Sequence, residues 1–272
     1  MKNLVARNPN EKESQQRIED EILLTKNANH IISSSINDKE YLTHLYSCPE
    51  NKITAINPGV DTDLFKPIDK NTALQFIHSV THNKIVTFVG RIEALKGIDV
   101  LMYAIKIIHD RNPDLKVALL IVGGYSNRIN NKELIRLKKL QNTLKMSPIV
   151  GFIDQRPQQE LPYYYNASEL VVTPSHYESF GMTSLEAMAC GTPVLITDTS
   201  GISSMLNDDF KDLLISANNP LLLASHIEEI LKNDSYKKQF KLKILKNINK
   251  FSWKNVAIKT DEVYQSIINK TS

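Results

Sequence analysis

Cysteine, glycine and tryptophan are sparse in this chain of 272 residues, which holds two, nine and one of them respectively. The two cysteines, Cys48 and Cys190, lie far apart in sequence. They make neither a disulfide framework nor a metal knuckle, and they suit a reducing compartment. No apolar run reaches membrane-spanning length, and Val117–Val122 is at most a core strand. Neither sign of charge dominates: 33 Lys and Arg against 30 Asp and Glu leave +3, a balance that calls for no nucleic-acid or anionic-membrane partner. Residues 1–7 turn polar at once and show no signal-peptide pattern. Also missing are HExxH, GxSxG, GxGxxG and the Walker A loop, which weakens zinc-protease, hydrolase, dinucleotide and P-loop readings. No metal or cofactor is expected. Collagen, a disordered tail, a secreted scaffold and a membrane helix are all excluded.

What is present is a core. Apolar residues make up 42% and charged residues 23%, as in ordinary globular proteins. The length exceeds a minimal domain but falls short of two full α/β domains. From Lys84 onward strand and helix patterns alternate. Ile85–Val89 is a β-branched apolar run of the kind buried on both faces of a sheet, and Gly97–His109 carries Val100, Leu101, Ala104, Ile105 and Ile108 at helical spacing. The strand Val117–Val122, a helix Lys132–Lys145 and a short strand near Ile149 follow. Then come a helix Gln158–Asn166, strand Glu169–Thr173, helix Ser184–Cys190, strand Pro193–Thr197, a strand at Leu213–Ile215, and helices near Leu221–Lys232 and Tyr236–Asn247. Such alternation predicts an α/β fold with a Rossmann-like parallel sheet and right-handed crossovers. The last helix, Ser252–Ile268, with Trp253, Val256, Val263, Tyr264 and Ile267, reads as a packing helix.

The first seventy residues fit this sheet less well. Gln15–Asn27 reads as a helix with Ile18, Ile22 and Leu23 on one face. Asn29–Ser33 and Lys52–Ile56 read as strands around a helix at Asp38–Tyr46, before Asn57-Pro58-Gly59 breaks the pattern. Two strands without a sheet of their own resemble the tail of another domain.

The stretch with the most chemistry runs from Thr173-Pro174 through Glu178-Ser179-Phe180-Gly181-Met182-Thr183 to Glu186 and Cys190-Gly191. A strand ends, a tight loop follows, and a helix begins near Thr183. Unpaired N–H groups and the positive end of the helix dipole make such a start a seat for phosphate. Glu178 and Glu186 bracket that seat and could accept hydrogen bonds from two polyols. Taken alone, Thr183-x-x-Glu186 is equally a capping box, Glu178 a solvated loop residue and Phe180 a core residue. A second cluster, Gly90-Arg91-Ile92-Glu93-Ala94-Leu95-Lys96-Gly97, leaves the first strand at the edge where ligands bind in such sheets. Arg91 and Lys96 can grip phosphate, yet alone they read as surface cations with Glu93 as a partner. Gly123-Gly124 reads as a tight turn, Tyr163–Tyr165 as half core and half surface, and Cys190 as buried rather than nucleophilic.

Together these motifs resemble the retaining group-one glycosyltransferases of the GT-B fold. Glu178 and Glu186, with seven residues between them in Tyr-Glu-Ser-Phe-Gly-Met-Thr-Ser-Leu-Glu-Ala-Met-Ala-Cys-Gly-Thr-Pro-Val, are similar to that family's donor-site signature. Gly90-Arg91-x4-Lys96-Gly97 resembles its diphosphate clamp, and Asn57-Pro58-Gly59-Val60-Asp61 with Phe65-Lys66-Pro67 its interdomain link. Arg17-Ile18-Glu19, Ile31–Ser35 and Gly123-Gly124 look most like the sucrose-phosphate-synthase and inositol-phosphate glycosyltransferase branches.

The resemblance implies a hexosyltransferase that moves sugar from a nucleotide-diphosphate sugar with retention. Glu186 would bind ribose and Glu178 the hexose. The N–H groups of Phe180, Gly181 and Met182, with Ser179 and Thr183 beside them, would meet hexose and phosphate. Arg91 and Lys96 would neutralise the departing diphosphate. Gly90 and Ile153 complete the implied donor set, with Arg91, Lys96 and Glu178 as its catalytic members. The partners implied are that donor, a sugar, sugar-phosphate or lipid-linked acceptor, and a separate polypeptide supplying an N-terminal domain, but no nucleic acid. A cytoplasmic place is implied, with a peripheral position at the inner membrane face left open.

Departures accompany the match. Ile149–Ile153 is short for the base-binding edge, Ser200-Gly201 stands where Gly-Gly is common, and Asn207–Asp212 lacks the usual glycines. Most of the N-terminal domain is expected to be missing. The resulting division is 1–60 as a remnant of that domain with the hinge, 61–250 as the nucleotide-sugar domain and 251–272 as a C-terminal packing helix. An idle nucleotide-sugar-binding module, an epimerase of related fold and a Rossmann dehydrogenase stand as alternatives.

Overall fold

Helices and parallel strands alternate along the computed structural model, which describes residues 14–78, 84–124, 131–206 and 208–271. The reading of residues 1–7 lies outside these, as does Asn207. The N-terminal part comprises α1 (Gln15–Asn27), β1 (Ile31–Ser33), α2 (Ile36–Tyr46) and β2 (Ile53–Ala55), and the short α3 (Lys70–Phe76) opens the main domain. The main domain continues with β3 (Lys84–Val89), α4 (Ile98–Arg111), β4 (Val117–Val122), α5 (Lys132–Thr143), β5 (Val150–Ile153), α6 (Leu161–Ala167) and β6 (Leu170–Thr173). It then runs through α7 (Met182–Ala189), β7 (Val194–Thr197), β8 (Leu214–Ile215), α8 (Pro220–Lys232) and α9 (Asp234–Asn247) to α10 (Trp253–Thr271). Side-chain oxygens of Ser14, Ser35, Asn131, Asn219 and Asn233 accept N–H groups of the first turns of α1, α2, α5, α8 and α9. These caps fix where each helix starts.

Six strands form one parallel sheet in the order β5-β4-β3-β6-β7-β8. Counted from β3, this is the doubly wound order 3-2-1-4-5-6. The strands are apolar without alternation because both faces are covered. Val86, Phe88, Leu119, Ile121, Val172 and Leu195 pack against α4 and α8 on one face. Val89, Val171, Val194 and Ile196 pack with residues of α6, α7 and α9 on the other.

Three expectations are corrected. The N-terminal strands do have a sheet of their own: Ile31–Ser33 pairs in parallel with Ile53–Ala55, and α2 supplies the crossover. The last helix packs far less than its apolar spacing implies. Val263 is buried, but Trp253 and Tyr264 are 51% and 56% exposed. Ile22 and Leu23 of α1 are likewise exposed, and Thr25 is the buried residue of that helix. Tyr164 and Tyr165 are both buried while Tyr163 stacks on Phe76, so the tyrosine triplet is more core than surface. Among the described residues no helix is long and apolar enough to cross a membrane.

Leu119 is fully buried in the sheet's interior. Leu119→Ala is expected to cost roughly 3 kcal/mol through lost contacts and a residual cavity, read as a lowered thermal midpoint.

Candidate functional site

The crossover from β3 runs through α4 to β4 on one side, and that from β6 runs through α7 to β7 on the other. The carboxyl ends of β3 and β6 are therefore left uncovered between them, which is where ligands bind in such sheets. A cleft of about 700 Å³ opens there, lined by segments that follow β3, β4 and β5 and by Thr183 and Glu186 of α7.

The two loops at the switch point are tied together. After β3 the chain makes a single 3-10 turn at Ala94–Lys96 and enters α4 through Gly97, at φ +62°. A Cβ on Gly97 would stand 2.1 Å from the Pro174 carbonyl oxygen, so only glycine allows this approach. The His176 N–H donates to the Leu95 carbonyl at 2.8 Å. These contacts deliver Lys96 Nζ to Glu178 Oε2 at 2.5 Å, with both side chains mostly buried. Glu178 is thus an ion-paired residue rather than a solvated one.

The loop carrying Glu178 is strapped from behind. The Gly201 and Ile202 N–H groups donate to the Glu178 and Phe180 carbonyls at 3.0 and 2.7 Å. The buried Ser200 hydroxyl donates to the Phe180 carbonyl at 2.9 Å. A serine before Gly201 thereby adds a tie that a glycine could not. Phe180 itself is core, 4% exposed. Gly181 caps α7 at φ +106°, and its carbonyl receives the Ser184 and Leu185 N–H groups. The N–H groups of Phe180, Gly181, Met182 and Thr183 stand ahead of that first bonded turn, as a phosphate seat requires.

Glu186 forms no capping box. The helix begins at Met182, so Glu186 lies in its second turn, 6% exposed, where it lines the cleft. Its Oε2 accepts the Tyr165 hydroxyl at 2.7 Å, and the Gln158 side chain also bonds it. Burial holds the Glu186 carboxyl above the ordinary carboxylate range against the opposing pull of these two bonds, and pushes the Tyr165 phenol well up. Burial likewise raises the Cys190 thiol to about 12, which fits an inert core residue.

Gly90, Arg91, Thr183 and Glu186 of the anticipated set line the cleft; Lys96 and Glu178 pair at the switch point, where Leu95 reaches the lining. Ile153 pairs with Val122, a lining residue, and its carbonyl accepts the Gly123 N–H at 2.9 Å. Arg91 pairs with Glu93 at 2.8 Å, with its side chain 69% exposed. Among the described residues no group of three or more His, Cys, Asp and Glu is placed to hold a metal.

Sequence reasoning missed the other walls. Gln155, Arg156 and Gln158 follow β5, and Asn131 and Glu133 stand at the head of α5. Arg136 holds Glu133 in a two-point contact of 2.7 and 2.8 Å and reaches Asp99 at 3.1 Å. The rule that singled out the end of β3 applies equally to the end of β5 and would have found the first three. Asp38 of α2 was missed too. It is buried, bonded to the Ser34 hydroxyl, and accepts the Tyr177 hydroxyl at 3.2 Å. The Tyr177 ring packs on Tyr41 at 6.4 Å, and burial raises its phenol to about 12. The N-terminal unit thereby grips the residue next to Glu178.

The sequence profile of the family described as Glycosyl transferases group 1 matches residues 69–246. The chain belongs to this family. The relatives it resembles include a D-inositol 3-phosphate glycosyltransferase of Thermobispora bispora, 30% identical over 246 residues that cover 89% of this chain and 57% of that protein. Another, from Corynebacterium jeikeium, is 32% identical over 260 residues, 94% of this chain and 61% of the relative. This member of the family thus spans about three fifths of the length of those relatives. Among solved structures, a sucrose-phosphate synthase from Thermosynechococcus elongatus superposes with a TM-score of 0.87 at 25% identity, covering 99% of this chain and 67% of that one. Anabaena HepE in complex with UDP-glucose superposes at 0.83 and 20% identity, over 98% and 71%, which shows a shared fold.

Tyr177→Phe removes one hydrogen bond between α2 and the glutamate-bearing loop, a loss of about 1 kcal/mol. Amide exchange of residues 177–181, read by mass spectrometry, is expected to quicken about five-fold, while exchange in β4 stays unchanged.

Proposed function

We propose that this chain is the donor-binding half of a retaining hexosyltransferase and holds a nucleotide-diphosphate sugar in the cleft at the β3/β6 switch point. The observation that carries the reading is the convergence there of Lys96 with Glu178, the leading end of α7, and a buried Glu186 facing the cleft. The diphosphate sits at the N–H groups of Phe180–Thr183, with Lys96 and Arg91 as countercharges. Glu186 accepts ribose hydroxyls, held in orientation by Tyr165 and Gln158. Glu178 accepts hexose hydroxyls beside Ser179. Chemistry follows from this electrostatics: negative charge grows on the diphosphate as the glycosidic bond breaks, and preorganised donors and cations stabilise it. The names of the inositol-phosphate relatives, and the UDP-glucose bound by HepE, support a nucleotide-sugar donor and a sugar or sugar-phosphate acceptor; a lipid-linked acceptor is the further option.

Transfer also needs a second wall across the cleft to place the acceptor and exclude water. Residues 14–56 bring two strands of such a wall and fasten them through Asp38 and Tyr177. We assign the rest of it to further polypeptide. The open cleft also favours a second reading, an idle nucleotide-sugar-binding module, which binds donor but turns nothing over with any partner or acceptor.

Calorimetry with UDP-, GDP- and ADP-glucose is expected to show one of them binding, with Glu186→Ala and Lys96→Ala each weakening it at least ten-fold. Unchanged affinity in both variants sinks the assignment. Donor hydroxyls bind the ionised Glu186 and so favour proton loss. Affinity is therefore flat at high pH and falls as pH drops through a carboxyl pKa that already lies above the ordinary range in the free protein. Titrations across that range are expected to show this fall in the wild type and not in Glu186→Gln.

A further inference from the structure

The net charge of +3 conceals an uneven distribution. Residues 235–260 contain eight of the 33 basic residues, all lysines, and none of the 30 acidic ones. That segment carries +8, and the remainder, with 25 basic against 30 acidic residues, carries −5. α9 is its centre. Phe240 and Ile244 turn inward to the core. On the opposite side Lys238, Leu242 and Lys246 recur at i, i+4 and i+8, which makes one helical stripe, flanked by Lys241, whose stem lies over Gly191, and by Leu245, half-buried against the core. Lys238, Lys241 and Lys246 are exposed, and Leu242 between them is 66% exposed.

This stripe differs from the other charged helix faces of the molecule. On α1, α4 and α5 at least one cation pairs with an acid one turn away: Arg17 with Glu21, Lys106 with Asp110, Arg136 with Glu133. On α9 the lysines that find partners lie off the stripe. Lys237 pairs with Glu169 and Asp234, and Lys243 sits over the Phe210 ring. Lys238, Lys241 and Lys246 pair with no carboxylate among the described residues. A helix face that serves only solubility mixes both signs and gains from i, i+4 pairs. This one forgoes them and sets a leucine at its middle. The chain then continues with Lys250, Lys254 and Lys259, among them the half-exposed Trp253 and Ile258.

We propose that the outer face of α9, with the lysines that follow it, docks on an anionic lipid bilayer. The lysines meet the headgroup phosphates, and Leu242 and Trp253 enter the interfacial layer. Charge complementarity selects this occupant, since a clustered polybasic surface is drawn to an anionic leaflet while single leucine and tryptophan side chains add apolar burial. The surface is compatible with the donor site and independent of it. α9 packs on α7, and none of its residues lines the cleft. Such docking would hold the cleft close to a lipid-linked acceptor.

The test is co-sedimentation of the whole chain with vesicles of phosphatidylcholine alone and of phosphatidylcholine mixed with phosphatidylglycerol. Binding is expected to the mixed vesicles only, and to weaken steeply with salt. The triple variant Lys238→Gln, Lys241→Gln, Lys246→Gln should lower partitioning about a hundred-fold, since each lysine near such a surface counts for about five-fold. Leu242→Ala should lower it several-fold without changing the salt dependence. Thermal midpoints verify that both variants fold, and the single Leu242→Ala carries the test if the triple does not. No partitioning into mixed vesicles, or partitioning that neither variant changes, overturns the proposal. So does heparin binding as tight as vesicle binding and indifferent to Leu242→Ala, because the face would then be a general polyanion site.

Discussion

A parallel sheet whose crossovers depart in opposite directions from adjacent strands cannot cover the carboxyl edge between them. Here those strands are β3 and β6, and the Lys96–Glu178 pair and the leading end of α7 gather at their ends. Right-handed crossovers send α4 and α7 to opposite faces, so the gap follows from chain topology rather than from any particular side chain. The residues then decide what the gap holds. Gly97 lets two backbones touch, Lys96 and Glu178 join across the seam, and the Ser200–Ile202 strap fixes the loop from the far side.

Strands such as Val117–Val122 were legible because burial on both faces leaves an unbroken apolar run, and helices such as Ile98–Arg111 because one stripe of them is apolar. Glu178 and Glu186 were legible as candidates but not as chemistry. Glu178 is defined by a lysine 82 residues earlier, and Glu186 by a tyrosine 21 residues earlier. Local spacing reports neither, and for Glu186 it left open a capping box that does not form. Asp38 and Tyr177 meet across 139 residues and left no local trace at all. Three-residue strands such as Ile31–Ser33 and Ile53–Ala55 carry too little pattern to announce their pairing. In α10 apolar spacing implied burial where Trp253 and Tyr264 are exposed, because spacing records which residues share a face and not whether anything covers it.

The N-terminal unit is more than an appendage. Its small sheet is joined by α2, and α2 meets the loop that carries Glu178 through a buried carboxylate and a pair of tyrosine rings. A hydrogen bond to a buried acid is costly to leave unmade, which favours a fixed relation between the two units over a loose one. Electrostatics divides the molecule along another line, with a lysine-rich, acid-free stretch around α9 set against a mildly acidic remainder.

The contact between Lys96 and Glu178 has a consequence for the resting protein. With its ammonium already engaged by a carboxylate, Lys96 itself offers little free charge to passing anions. A lone phosphate must break that link and supplies nothing for the freed glutamate. A ligand that brings both an anionic centre and neighbouring hydroxyls replaces each lost interaction with a new one. On the function proposed above, a nucleotide sugar is thereby favoured over a small inorganic anion.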